Sequence, residues 1–128
     1  STMQDNPNYE NIIQELISFF SKKIQHLNQN GIHDVILDPG FGFGKKLNDN
    51  FMLLQKLNEL NILEKPILAG ISRKSMVYKS LESNVLKSLN GTTALNMIAL
   101  KNGAKILRVH DIKEAQECIL LNDRLSFK

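Results

Sequence analysis

The sequence has no tryptophan, a single cysteine and only three prolines among 128 residues. A lone Cys118 excludes an internal disulfide, which agrees with a reducing compartment. It falls in a helical pattern, and nothing around it marks a reactive thiol. No apolar stretch approaches the length of a membrane span, and no basic leader followed by a short apolar segment opens the chain. The expectation is therefore a cytoplasmic protein with no membrane partner. Aromatic residues make up 6% of the chain and form no ladder interleaved with arginine. The net charge of +3 comes from scattered lysines, often beside acids, so no nucleic-acid partner is expected. What is present is a hydrophobic content of 42%, enough for the core of one domain of ordinary size.

The most informative stretch is Asp38-Pro39-Gly40-Phe41-Gly42-Phe43-Gly44-Lys45-Lys46. It follows Val35-Ile36-Leu37, a short buried strand by composition, so Asp38 stands where a strand ends. Glycines at alternate positions let the backbone bend sharply and approach a ligand, and Pro39 stops further pairing. Phe41 and Phe43 offer ring faces to something flat. The dinucleotide fingerprint fails because Lys45 stands where its third glycine belongs. The P-loop fails because Pro39 and Lys46 occupy its glycine and Ser/Thr positions. An ordinary turn with solvated lysines would have the same composition.

Tyr9, Ile12, Ile13, Leu16, Ile17, Phe20, Ile24 and Leu27 recur at helical spacing, with Asn30-Gly31 as a left-handed stop. Asn48 is the expected N-cap of a second helix, with Leu47 and Met52 as a hydrophobic staple. A second strand is expected over residues 66–70, then the loop Ile71–Ser75 and one or two short helices over 74–88. Thr92 or Thr93 should open a helix ended by Asn102-Gly103. A third strand is expected over 105–109, and Asp111 with Glu114 resembles a capping box for the last helix. Strands alternating with helices, and no hairpin signal, indicate an α/β fold with a parallel sheet. In such folds ligands lie at the carboxyl ends of the strands, and there stand Asp38, the Ser72–Ser75 cluster, Arg108 and His110. Three strands would leave two long open sheet edges, so the chain reads as the latter part of something larger.

Together, Thr2-Met3-Gln4, Asp38–Lys45, Gly70–Met76 and Arg108-Val109-His110-Asp111 resemble the dihydropteroate synthases, a pterin-binding family of folate biosynthesis. The resemblance implies an eight-stranded TIM barrel. Residues 1–128 would then be a partial pterin-binding domain holding about strands six to eight, with the N-terminal half of the barrel missing. It implies the condensation of 6-hydroxymethyl-7,8-dihydropterin diphosphate with 4-aminobenzoate, releasing pyrophosphate, in an enzyme that sulfonamides target. On that pattern Asp38, Lys74, Arg108 and Gly42 bind the pterin. Arg108, Val109 and His110 hold the diphosphate, and Phe43 and Ser75 meet the aminobenzoate. No residue here serves as a covalent nucleophile, because the amine of aminobenzoate plays that part. Magnesium is implied, with its asparagine ligand on a first strand outside this chain, and the full-length protein would be a homodimer. His26 and His33 have no motif around them and are expected at the surface. Two other readings are a pterin-binding methyltransferase with a corrinoid partner and a non-catalytic binding or assembly fragment. Gly70-Ile71-Ser72-Arg73-Lys74-Ser75 and Arg108-Val109-His110-Asp111 favour the synthase, and the isolated fragment is expected to be inactive.

Overall fold

The structure, a computed structural model, describes residues 11–126. Thr2–Gln4 and the helical position of Tyr9 lie outside the described residues. Helix α1 spans Ile12–Gln29, with the Asn11 side chain accepting from the Gln14 amide at 3.2 Å. Its buried face is Ile12, Ile13, Leu16 and Phe20, the 3.6-residue stripe expected from the sequence. It ends before Asn30-Gly31, where Gly31 takes φ +78°.

The chain continues through α2 (Leu47–Gln55), a 3-10 segment (Leu57–Leu63) and strand β1 (Ile67–Ala69). Then come α3 (Ser75–Ser80), a short 3-10 turn (Val85–Lys87), α4 (Leu89–Lys101), β2 (Ala104–Leu107) and α5 (Ile112–Leu125). β1 and β2 pair in parallel, Leu68 opposite Ile106 and Ala69 opposite Leu107. On the other side of β1, the expected strand 35–37 is reduced to a single parallel bridge between Leu37 and Ile67. Two bonds make it, Leu37 N to Pro66 O and Leu68 N to Leu37 O, both 2.8 Å. Pro39, two residues on, has no N–H to extend the ladder. The three extended segments thus lie side by side in sequence order and point the same way, as successive strands of a barrel do.

Leu37, Ile67 and Ala69 are buried against a core that includes Ile13, Leu53, Leu57 and Phe41. Alternation places Ile36, Leu68 and Ile106 on the opposite face, where Ile36 is 55% exposed. Helices therefore cover one face of this sheet. Beyond its edge, α1 and residues 35–37 border an apolar cavity of about 290 Å³ lined by Phe19, Phe20, Ile24, Leu27 and Ile36 among others.

Two helix starts and one cap differ from expectation. α2 begins at Leu47 rather than after Asn48, because the Asp49 carboxylate accepts the Lys46 amide at 3.3 Å and stabilises an earlier turn. Leu47 and Met52 are both exposed, so the staple contributes no buried contact. α4 starts at Leu89 after Ser88, whose hydroxyl donates to Val85 O at 2.7 Å; Thr92 lies one turn inside. Asp111 does precede α5, but its side chain caps nothing; it is taken by an arginine, described below.

Candidate functional site

At the carboxyl ends of β1 and β2 lies a cavity of about 140 Å³ lined by Gly70, Ser72, Lys74, Arg108, Val109 and His110. The glycine-rich loop adjoins it. Gly40, Gly42 and Gly44 all have positive φ, a backbone that side chains with a Cβ adopt only with strain. This turn sends the two phenylalanines opposite ways. Phe43 is 60% exposed, whereas Phe41 is fully buried. The expectation of two aromatic walls is corrected to one, because Phe41 is a core residue.

Arg108 reaches across to the glycine loop, its Nη1 donating to Asp38 Oδ2 at 2.7 Å. Asp38 Oδ1 accepts the Gly40 amide at 3.0 Å. Partial burial opposes ionisation of Asp38. The Arg108 hydrogen bond and charge, with the Gly40 amide, outweigh it and hold the carboxyl below its ordinary value of 3.8. The Arg108 guanidinium lies over Gly70, where any Cβ would collide with it. Gly70 thus provides the berth for this side chain.

Lys74 passes over Gly42, where a Cβ would stand 3.3 Å from its Cδ. Its ammonium donates to Phe41 O at 2.6 Å and lies 5.1 Å from the Phe43 ring centroid. Burial and the nearby Arg108 charge lower its pKa, with Asp38 pulling the other way. The close approach that Gly42 allows is therefore to Lys74. Ser75 opens α3 and is exposed; it does not line the cavity.

His110 is held by Ser72. Its backbone N–H donates to Ser72 Oγ at 3.2 Å, and its Nδ1 lies 2.8 Å from the same oxygen. One residue further along each loop, Arg73 grips Asp111 through Nε at 3.3 Å and Nη2 at 2.8 Å. That hydrogen bond holds the Asp111 carboxyl below its usual range. Arg73 has φ +58°, and its amide donates to the Thr92 hydroxyl at 3.2 Å. By contrast, His33 is exposed and meets Asn28 at 2.9 Å, and His26 is exposed on α1. Cys118 is buried with Sγ 3.6 Å from Thr93 O, and burial raises its pKa. Among the described residues no group of three or more His, Cys, Asp or Glu side chains could hold a metal ion.

A family model described as "Pterin binding enzyme" matches residues 1–110. The chain belongs to the pterin-binding enzyme family. It is 43% identical to the dihydropteroate synthase of Haemophilus influenzae over 120 residues, which is 92% of this chain and 44% of that relative. The Yersinia pestis dihydropteroate synthase structure superposes with a TM-score of 0.91 at 40% identity, over 96% of this chain and 51% of that one. The Thermus thermophilus dihydropteroate synthase in complex with 4-aminobenzoate gives 0.89 at 32% identity, over 98% and 52%. This family member thus spans about half the length of the relatives it matches. No helix among the described residues is long and apolar enough to cross a membrane.

Several residues of this site escaped the sequence reading. Asn50 accepts the Gly42 amide at 2.7 Å and donates to Lys46 O at 3.1 Å, stitching the glycine loop to α2. Lys45, read as a loop or solvated lysine, donates to Gly40 O at 2.6 Å and Phe43 O at 3.2 Å. Burial, then the Lys74 charge, lowers its pKa. An asparagine in the first turn of an amphipathic helix was the only available hint of the Asn50 brace. The Ser72, Arg73 and Thr92 contacts join residues distant in sequence and carried no local signal.

Proposed function

We propose that this chain is the carboxyl-terminal portion, about strands six to eight, of a dihydropteroate synthase barrel. The observation that carries the reading is the meeting of Asp38, Lys74, Arg108 and His110 from three successive strand-end loops. A carboxylate held ionised suits the adjacent donors of an amino-pyrimidinone edge, and Asp38 takes that part. Lys74 donates to the pterin oxygen or ring nitrogen, above the backbone of Gly42. Arg108, with a planar fork of donors, can bridge the flat ring and the diphosphate. His110 and the adjacent Val109 face the diphosphate. Negative charge builds on the departing pyrophosphate, and fixed donors aimed there lower the barrier. Phe43 contributes an exposed ring face to the aminobenzoate, with Ser75 at the start of α3 nearby in sequence to Lys74. The amine of aminobenzoate attacks the pterin methylene carbon and the C–O bond to the diphosphate breaks. The protein's task is orientation and leaving-group stabilisation. Magnesium enters this proposal as a companion of the diphosphate, with its protein ligand outside these residues. The full-length protein is proposed to be a cytoplasmic homodimer.

The test supplies purified full-length protein with the pterin diphosphate, 4-aminobenzoate and magnesium. Stoichiometric dihydropteroate and pyrophosphate are expected. A folded protein that yields neither rejects the assignment.

A further inference from the structure

The two loops after β1 and β2 are joined at consecutive residues, Ser72 to His110 and Arg73 to Asp111. The first of these joints has a polarity that can be worked out atom by atom. Ser72 Oγ accepts the backbone N–H of His110 at 3.2 Å. The same oxygen lies 2.8 Å from His110 Nδ1, and Ser72 is buried. A hydroxyl has one proton to give and lone pairs to accept with. With an amide already donating to it, its own proton is best directed at the nearest acceptor, Nδ1. A neutral imidazole has one protonated nitrogen, so Nδ1 as acceptor places the ring proton on Nε2.

We propose that Ser72 is a positioning residue that fixes His110 as the Nε2–H tautomer and so presents a donor to the anionic part of the substrate. The inference rests on the synthase reading for what that donor meets. The tautomer itself is a property of the protein alone. Arg73–Asp111 supports it by holding the two loops at the separation the short Ser72–His110 contact requires. Arg73 in turn is kept in its left-handed conformation with its amide on the Thr92 hydroxyl.

Nitrogen-15 spectra of full-length protein with labelled histidine, recorded near pH 8.5 where an ordinary imidazole is neutral, read the tautomer directly. Wild type should show His110 protonated at Nε2. A ring protonated mainly at Nδ1 overturns the proposal without any variant being made. Ser72→Ala should release the ring into a mixture of tautomers and lower kcat/KM for dihydropteroate formation by up to about tenfold, the worth of one net hydrogen bond. Ser72→Thr, which keeps the hydroxyl, should restore the wild-type signature and most of the rate. An unchanged His110 spectrum in folded Ser72→Ala refutes the role of Ser72. A wild-type protein with the Nε2–H signature, lost in Ser72→Ala, but with no synthase activity leaves this inference standing and removes the functional reading instead.

Discussion

Two cavities of this chain differ in how their walls are held. The one at the strand ends is small, and most of its polar groups are tied. Arg108 is tied to Asp38, His110 to Ser72 and Lys74 to the Phe41 carbonyl. The one between α1 and residues 35–37 is about twice the volume and lined by Phe19, Phe20, Ile24 and Leu27. Among the described residues no side-chain hydrogen bond joins its walls. The first is shaped by directional bonds that survive locally, whereas the second is a gap in apolar packing. Parallel strands ordinarily have both faces covered, yet among the described residues no helix covers the face carrying Ile36, which is exposed. The polar groups at the strand ends thus hold one another in place, while the apolar burial behind them is one-sided.

The sharpest way to break this contrast is to study the 128-residue chain alone. It is expected to be inactive and to self-associate, because each large aliphatic left in water forgoes roughly 1.5–3 kcal/mol. Sizing chromatography and binding of an apolar dye across a concentration series measure this. A compact monomer without dye binding would show that the apolar cavity costs little. Next in size, Asp38→Ala or Lys74→Ala in the full-length protein should weaken pterin binding by about 1.5–3 kcal/mol, the worth of a hydrogen bond to a charged group. Calorimetry with a pterin ligand reads the loss; equal affinity in wild type and variant would mean these side chains only brace loops. Gly70→Ala should displace Arg108 and cost roughly tenfold in the same assay, or about 1.4 kcal/mol. Full affinity would mean that the guanidinium finds another berth.

The smallest effect is on pH dependence. Asp38 has a folded pKa below its unfolded one. Its contribution to stability is complete above about 3.8 and fades as pH falls through the lower folded value. The Asp38 and Arg108 side chains are 37% and 52% exposed, so the effect should be at most about 1 kcal/mol. Denaturant titrations of wild type and Asp38→Asn should differ at neutral pH and converge as pH falls below the lowered folded value. A constant difference would assign the loss to packing.

Much of the strand-end chemistry was legible because it sits in local patterns. Asp38 follows an apolar triplet, glycines alternate after it, and Arg108 and His110 stand at the carboxyl end of an expected strand. The order of helices and parallel strands was legible from the same periodicities. Three misreadings share one cause. Asp111 has the local signature of a cap, but Arg73, 38 residues away, offers its carboxylate a stronger partner. Thr92 has the signature of a helix start, yet its hydroxyl receives the Arg73 amide. Phe41 and Phe43 have the same neighbours in sequence, and only the fold decides which is buried. Local composition tells what a side chain can bond, and tertiary contact selects which bond forms.

The Asn50 brace has a consequence for timescale. A glycine-rich loop is ordinarily a candidate for slow opening, but here Gly42 is fastened to α2 while the two lysine ammonium groups hold the Gly40, Phe41 and Phe43 carbonyls. The freedom that remains belongs to exposed side chains without a hydrogen bond, such as the Phe43 ring. Rotamer changes of that kind take picoseconds to nanoseconds, against nanoseconds to microseconds for a loop. The loop therefore acts as a fixed sill, and the part of it left to turn rapidly is one aromatic ring.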